Sequence, residues 1–231
     1  MRKKYLILVI FSVLNCAFGI LTQGFGNDSN ESLALILGNV DLYHPNNVIS
    51  MIRWLAPQLI LLSFYGNILE EQLLKNATVI FTRTNKKNMT LVKVFSELLG
   101  KVILFFGMNV LIIWVFNFLF QNKIVLNSET VIAMLRLIFY SYFVILVVNS
   151  FSLFSKAVHG LYFTLVTQIG LIYLLSFSVS GTIDKLNINP ITITLISIPE
   201  INQFFALGYS ILLIFGAMIG IGLLFKKKEL F

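Results

Sequence analysis

The side chains of this sequence that could activate water are few, and they lie far apart along the chain. Two adjacent carboxylates, Glu70 and Glu71, precede Lys75, a spacing similar to the EExxxR motif of intramembrane proteases. That chemistry needs histidines that bind a metal or act as bases, and the only two are His44 and His159, in separate segments. Because a base must lie within hydrogen-bond reach of the proton that it abstracts, we predict no protease site.

The sequence also lacks the common motifs for binding nucleotides or metals. No GxxxxGK[ST] stretch occurs, so the sequence lacks the loop that cradles nucleotide phosphates, and we expect neither bound ATP nor enzymatic activity. The single cysteine, Cys16, cannot form an internal disulfide, and there is no CxxC pair to hold a metal. We therefore predict that this chain itself binds no cofactor.

Composition identifies the elements that must position any polar site. Of the 231 residues, 58% are hydrophobic and only 12% are charged, which is too apolar for a water-soluble domain. Six apolar runs have the length of about 17 to 25 residues that a membrane crossing needs. These runs are approximately Tyr5–Leu21, Ile52–Leu69, Leu98–Phe120, Thr130–Phe154, Leu161–Val179 and Phe205–Phe225. We predict an all-α, polytopic membrane protein with a single six-helix domain over residues 1–231.

The distribution of Lys and Arg predicts the orientation of these helices. Connections rich in Lys and Arg stay on the cytoplasmic side of a membrane. With the N-terminus inside, the basic connections are cytoplasmic, whereas the outer segments, residues 22–51 and 180–204, carry more acidic than basic residues. Both termini are therefore predicted to be cytoplasmic, and Trp54 and Trp114 fall toward the outer boundary, where indole rings prefer to lie. Topology thus explains the formal charge of +7, and nucleic acid is not an expected partner.

The first apolar run has a second interpretation. Its positive start and apolar core, in MRKKYLILVIFSVLNC, resemble a signal peptide that is followed by a cysteine. A lipoprotein cleavage site requires a small residue just before that cysteine, and Asn15 is not small. We expect a retained first helix.

Both outer segments have features beyond those of a plain loop. Residues 22–51 begin polar and turn apolar at Leu33 to Leu37, which predicts a short helix at the outer surface. Residues 180–204 contain Pro190 and Pro199, which exclude one straight helix. This second segment either dips into the membrane or forms an ordinary loop.

Polar side chains within the predicted spans are candidates for substrate contact or for helix packing. They are the charged Arg136 and seven amides, Asn15, Gln58, Asn67, Asn109, Asn117, Asn149 and Gln168. Arg136, Asn109 and Asn117 are the candidates for a substrate path. The favoured alternative is structural, with Arg136 extending to the outer surface and the amides bonding neighbouring helices.

The last predicted span carries glycines at GxxxG spacing. Gly216 and Gly220, with Gly208 two turns earlier on the same face, would let another helix approach closely. We predict a helix-packing face, within the bundle rather than at a dedicated dimer seam.

The connection between the second and third spans has the most distinctive pattern. Apolar residues recur at three- and four-residue spacing from Leu69 to Phe81, as in an amphipathic helix. The stretch TRTNKKN then interrupts the pattern with a basic island, and Asn88 is placed to cap the next helix. The island consists of Arg83, Lys86 and Lys87. Two interpretations stay open, because such a segment suits both anionic lipid headgroups and a cytoplasmic protein partner.

Six spans with both termini inside, RTNKKNMTLVK (Arg83 to Lys93) after the second span, and a Pro-interrupted segment before the last span resemble the permease subunits of type 2 ATP-binding-cassette (ABC) exporters. The likeness is to short Gram-positive permeases that export peptides or confer immunity to bacteriocins and lantibiotics. It covers nearly the whole chain as architecture, and Glu70 to Lys93 at the level of residues. The short first cytoplasmic segment departs from members that carry a longer interfacial helix.

The resemblance implies a function and a set of partners. Residues 70–97 would be the cytoplasmic coupling segment that rests on a separate ABC ATPase subunit, which binds ATP and Mg. The residues implied in this contact are Glu70, Glu71, Arg83, Thr84, Lys86, Lys87 and Lys93. A second permease subunit, identical or related, and the lipids of a bacterial plasma membrane would surround the chain. The substrate would be an amphipathic peptide or a lipid-like molecule.

Two other classes of membrane protein remain as alternatives. The first is a non-transporting immunity or sensor protein that binds an antimicrobial peptide at its outer segments. The second is the substrate-binding membrane component of a vitamin importer, which would need a compact pocket with convergent polar groups. The scarcity of such groups in the predicted spans argues against the importer.

Overall fold

A computed structural model of the chain describes residues 2–23, 32–33, 36–37, 47–71, 87–121, 127–179, 190–191 and 203–228. This part of the chain contains six long helices and no β-strand, which confirms the all-α fold class. The helices are α1 (Arg2–Gln23), α2 (Val48–Tyr65), α3 (Lys87–Gln121), α4 (Ser128–Phe154), α5 (Ala157–Val179) and α6 (Gln203–Lys228).

Five helices, α2 to α6, are long and apolar enough to cross a membrane. The apolar stretch of α1, Leu6–Thr22, is shorter. It reaches about 26 Å at 1.5 Å per residue, a little less than a hydrocarbon core of about 30 Å. The six predicted spans thus correspond to six helices, of which five meet the length and composition of a span. The protein is a multi-pass membrane protein.

Helix α4 is the centre of the bundle. It contacts α2, α3, α5 and α6, whereas α1 packs on α2 and α3. In the most apolar 18-residue stretch of α4, 61% of the residues are buried, whereas only 22% are buried in the corresponding stretches of α5 and α6. A polar residue on α4 is therefore surrounded by other helices, while much of α5 and α6 offers apolar side chains to lipid.

Helices α4 and α5 form an antiparallel hairpin with a short turn. The rings of Phe151 and Phe163 lie 4.9 Å apart between centroids. The helices approach closely at Gly160, where an added Cβ would lie 2.7 Å from the Cβ of Phe151. At the turn, Ser155 Oγ and His159 Nδ1 share a hydrogen bond of 2.6 Å. This hairpin fixes the two helices that line the cavity described below.

Two helix boundaries differ from the sequence prediction. Helix α2 begins four residues before Ile52, after Asn47, whose Oδ1 accepts a 3.3 Å hydrogen bond from Ser50 N. It ends at Tyr65 rather than Leu69. Helix α3 begins at Lys87, so Asn88 lies inside the first turn and is not the cap that the sequence suggested.

Parts of both predicted outer segments pack against the helices. Leu33 and Ile36 are helical and buried, and an added Cβ at Gly19 of α1 would lie only 2.8 Å from Ile36 Cγ2. These described residues are helical, as predicted, and the side chain of Ile36 packs against α1; the place of the segment at the outer surface of the membrane stays a prediction. In the other segment, Pro190 is half-buried and Ile191 is fully buried. Most of residues 22–51 and 180–204 lies outside the described part.

Candidate functional site

Helix α2 ends at a backbone break that a side chain of α4 holds. After Tyr65 the chain turns at residues 66–67 and then resumes a helical path. Asn149 of α4 is fully buried, and its Nδ2 donates to the carbonyl oxygen of Tyr65 at 2.8 Å. Its Oδ1 accepts from the amide of Leu69 at 3.0 Å. Because an unsatisfied backbone group is costly inside a membrane, Asn149 stabilises the break by pairing groups on both of its sides.

Glycine at position 66 permits this close approach of α2 and α4. An added Cβ at Gly66 would lie 2.6 Å from the carbonyl oxygen of Leu62 and 3.2 Å from Val148 Cγ1. A larger residue would therefore disturb the end of α2 itself and press on Val148 next to Asn149. We refer to Gly66, Asn67 and Asn149 as the α2 break.

The predicted coupling residues begin directly after the α2 break. Glu70 and Glu71 are half-buried, and Asn67 Nδ2 donates to Glu71 Oε1 at 3.0 Å. Lys75, four residues after Glu71, lies outside the described residues, as do Arg83, Thr84 and Lys86. Lys87 is the first residue of α3, and the side chain of Lys93 is exposed on α3. The contact of these residues with an ATPase stays a prediction.

The first half of α3 is fastened to the same end of α2 and α4. Lys101 Nζ lies 2.6 Å from Glu97 Oε1 and 5.1 Å from the ring centroid of Tyr65, the last residue of α2. Tyr142 of α4 donates a 2.9 Å hydrogen bond to the carbonyl oxygen of Phe95. The coupling segment begins just after α2 and ends within α3. Both of its ends are therefore held against α4.

Asn109 and Asn117, two candidates for a substrate path, take part in bonds between α3 and other segments. Asn109 is fully buried, and its Oδ1 accepts from Asn15 Nδ2 at 3.3 Å and lies 3.3 Å from Cys16 Sγ. Asn117 Oδ1 accepts from Ser32 Oγ at 3.1 Å. The structural interpretation of these amides is confirmed. Their role in a substrate path stays a prediction.

Arg136 lies inside the bundle and does not extend to the surface. Its side chain is only 3% exposed, which contradicts the expectation that it reaches the outer boundary. Neither Nε nor Nη1 of Arg136 has a hydrogen-bond partner within the described part of the chain. Such a buried cation is costly unless an acceptor reaches it, so Arg136 is a candidate binding residue.

A second group of buried polar side chains follows Arg136 along α4. Tyr140, four residues later, lies on the same face of the helix. Gln168 Nε2 of α5 donates to Gln58 Oε1 of α2 at 2.5 Å and lies 3.4 Å from the hydroxyl of Tyr140. The ring of Trp54 lies 5.9 Å from that of Tyr140 between centroids. We call Trp54, Gln58, Arg136, Tyr140 and Gln168 the interior polar cluster.

The interior polar cluster bears on two sequence interpretations. Trp54 is only 1% exposed and packs inside the bundle, and its place near the outer boundary of the membrane stays a prediction. Gln58 and Gln168 bond neighbouring helices, as the sequence suggested for amides within the spans. That these two glutamines meet each other was not predictable from spacing, because they are 110 residues apart.

A cavity of about 260 Å³ adjoins the interior polar cluster between α4 and α5. Tyr140 and Gln168 belong to both the cluster and the cavity wall. The rest of the wall is mostly apolar and consists of Phe143, Val144, Val147, Phe163, Thr164, Thr167, Leu171 and Pro190. The cavity therefore joins an apolar space to a few buried polar groups, which is the usual composition of a small-molecule site.

The glycine face of α6 meets no described part of the chain. A Cβ added at Gly208, Gly216 or Gly220 would find no atom within 4 Å. The described residues thus offer no helix that uses this face within the bundle. The predicted packing of this face within the bundle therefore has no support among the described residues.

Neither metal-ligand groups nor similarity to known proteins identifies a further candidate site. No group of three or more His, Cys, Asp or Glu side chains that could hold a metal occurs among the described residues. Comparison of the chain with protein-family models, with curated proteins and with solved structures finds no match. The functional argument therefore depends on the residues of this chain alone.

Proposed function

We propose that this protein is the membrane-spanning subunit of an ABC transporter that exports an amphipathic peptide or a lipid-like molecule. The observation that carries this proposal is the α2 break, which joins a membrane helix to a charged connection. Asn149 ties the start of that connection to the central helix α4. A partner outside the membrane could therefore move α4 by moving the connection.

The charge of the connection supports a cytoplasmic protein partner. The island Arg83, Lys86 and Lys87 follows Glu70 and Glu71, so the segment offers charges of both signs to a partner surface. Placing this segment and both termini in the cytoplasm agrees with the positive-inside rule. The chain has no phosphate-binding loop, and a separate ATPase subunit supplies the ATP and Mg chemistry.

The proposed mechanism starts at the ATPase. ATP binding closes the ATPase subunits and displaces the coupling segment, residues 70–97. Because both ends of that segment are held against α4 by Asn149 and Tyr142, the displacement is passed to the centre of the bundle. A path between this permease and a second one, identical or related, then opens toward the outside of a bacterial plasma membrane.

Co-purification tests the proposed partnership. Tagged protein extracted in mild detergent is expected to retain an ATPase subunit that has no membrane spans. Reversing charge with Arg83→Glu, Lys86→Glu and Lys87→Glu should release that subunit and abolish ATP-driven transport. The matched control is Lys123→Glu with Lys185→Glu, two charge reversals on the predicted outer side, which should leave the complex intact.

Two outcomes would contradict the transporter proposal. One is recovery of the tagged chain without any ATPase while the charge reversals leave transport unchanged. The other is loss of function on replacement of residues 22–51 or 180–204 combined with tolerance of the island variants. The second outcome would favour the non-transporting immunity or sensor protein.

A further inference from the structure

Unpaired hydrogen-bonding groups gather in and next to the interior polar cluster. Arg136 Nε and Nη1, Trp54 Nε1 and Gln58 Nε2 are buried N–H donors that have no acceptor among the described residues. The unpaired acceptor in the same cluster is Gln168 Oε1, and Ser141 Oγ beside Tyr140 is also without a partner there. Buried polar groups normally have partners, so this concentration points to a ligand that supplies them.

The excess of donors determines the sign of the charge on that ligand. The cluster contains four unpaired N–H groups, two of them on a cation, and only one unpaired carbonyl oxygen. A second buried cation, Arg53, directly precedes Trp54 on α2. The carboxylates whose side chains are described, Glu70, Glu71 and Glu97, lie near the α2 break. That region is about 20 Å along α4 from Arg136 at 1.5 Å per residue. An anion with oxygen acceptors therefore complements the cluster.

The cavity determines the rest of the ligand. Tyr140 and Gln168 belong to both the cluster and the cavity wall, and Arg136 lies about 6 Å along α4 from Tyr140. Most of the wall is aliphatic or aromatic, so it suits a hydrocarbon group. The cavity has a volume of about 260 Å³ and opens to the outside of the bundle at the exposed Phe163 and Thr167, so a single hydrocarbon chain can enter it.

We propose that the interior polar cluster and its cavity bind a single-chain amphipath with a carboxylate headgroup. The carboxylate accepts hydrogen bonds from the guanidinium of Arg136 and from the Trp54 and Gln58 N–H groups. The hydrocarbon chain occupies the space between α4 and α5, against Phe143 and Phe163. This binding belongs to the isolated chain and needs no ATPase, so it goes beyond the transporter proposal.

The two tryptophans of the chain offer a direct measurement. Trp114→Phe leaves Trp54, inside the cluster, as the sole fluorophore. The probe is 2-bromoundecanoate, whose bromine lies next to the headgroup and quenches the indole of Trp54 on contact, and its neutral partner is 2-bromoundecan-1-ol. Both are titrated at pH 8 into the purified full-length variant in neutral phosphatidylcholine nanodiscs. We expect saturable quenching by both, with the carboxylate binding about tenfold or more tightly because its hydrogen bonds are charge-assisted.

Three further variants, each in the Trp114→Phe background, assign the binding to the named residues. Arg136→Met should weaken carboxylate binding about tenfold, to the level of the alcohol, without changing alcohol binding. Thr167→Phe fills the cavity from an exposed position and should abolish saturable quenching by both probes. Lys156→Met removes a positive charge from an exposed site in the turn between α4 and α5 and should change neither affinity.

The proposal is overturned by any of four results. These are equal affinities for the carboxylate and the alcohol, quenching that rises linearly without saturation, normal carboxylate binding in Thr167→Phe, or an unchanged carboxylate preference in Arg136→Met. If Arg136→Met does not fold, Arg136→Gln removes the charge and keeps a polar side chain, and a carboxylate preference identical to that of the parent variant would exclude Arg136. Glu129→Gln tests whether the only carboxylate of the α4 sequence pairs with the guanidinium of Arg136. A large gain in probe affinity would show that it does, and would refute the claim that Arg136 is free to bind a ligand.

Discussion

The bond network of Asn149 gives the sharpest prediction for the stability of the bundle. Asn149→Ala removes two bonds between α4 and the α2 break, the 2.8 Å bond to the Tyr65 carbonyl and the 3.0 Å bond from the Leu69 amide. Hydrogen bonds between helices in membrane proteins contribute about 0.6 kcal/mol on average and about 1.7 kcal/mol at most. We therefore expect a loss of about 2 kcal/mol, which lowers the ratio of folded to unfolded protein about 30-fold.

Equilibrium unfolding measures this loss. The purified chain in mixed micelles is titrated with sodium dodecyl sulfate, and helix content is followed by circular dichroism. The control is Ser150→Ala, because Ser150 Oγ donates only to Val147 O of the same helix, at 2.6 Å. The control should change the free energy of unfolding by less than about 0.5 kcal/mol. Superimposable curves for Asn149→Ala and Ser150→Ala would refute the role assigned to Asn149.

Other positions test the packing around the candidate sites. Gly160→Ala should lower the free energy of unfolding by about 1 to 3 kcal/mol, because its Cβ would lie 2.7 Å from a neighbouring Cβ. Gly170→Ala on the same helix meets no atom within 4 Å and should be neutral or stabilising, and equal destabilisation of both would contradict the hairpin geometry. Asn109→Ala should speed maleimide labelling of the buried Cys16, and an unchanged rate would exclude Asn109 as its cover. Gly216→Leu should leave the free energy of unfolding of the isolated chain unchanged. If this face binds a second permease subunit, the substitution should also separate two copies that otherwise co-purify, whereas destabilisation of the isolated chain would show packing within the bundle.

The sequence predicts the fold well because the spans are strongly apolar. Each of the six runs corresponds to one helix, and the end of α4 at Phe154 and of α5 at Val179 agree with the predicted bounds. Length and hydropathy suffice here, since a spanning helix must satisfy its own backbone and present apolar side chains to lipid.

Positions that depend on distant residues are not predictable in this way. The early end of α2 at Tyr65 depends on Asn149, which is 84 residues away from Tyr65. Hydropathy alone continued the second span to Leu69 because Ile68 and Leu69 are apolar. A local pattern cannot show which backbone groups another helix will pair.

The candidate site shows the same division. The sequence identified Arg136, Gln58 and Gln168 as polar groups within spans, and composition alone made them conspicuous. It expected Arg136 to extend to the outer surface, because long cationic side chains near a helix end usually do. Arg136 is instead buried within the bundle, and that arrangement is a property of the tertiary fold.

The α2 break also has a consequence for biosynthesis. Asn149 leaves the ribosome 84 residues after Tyr65, which takes about 4 to 17 seconds at about 5 to 20 residues per second. During that interval the carbonyl of Tyr65 and the amide of Leu69 have no Asn149 to pair with. The nascent second helix therefore has to keep these groups hydrated or run on as an unbroken helix. The α2 break is completed only when the fourth helix inserts.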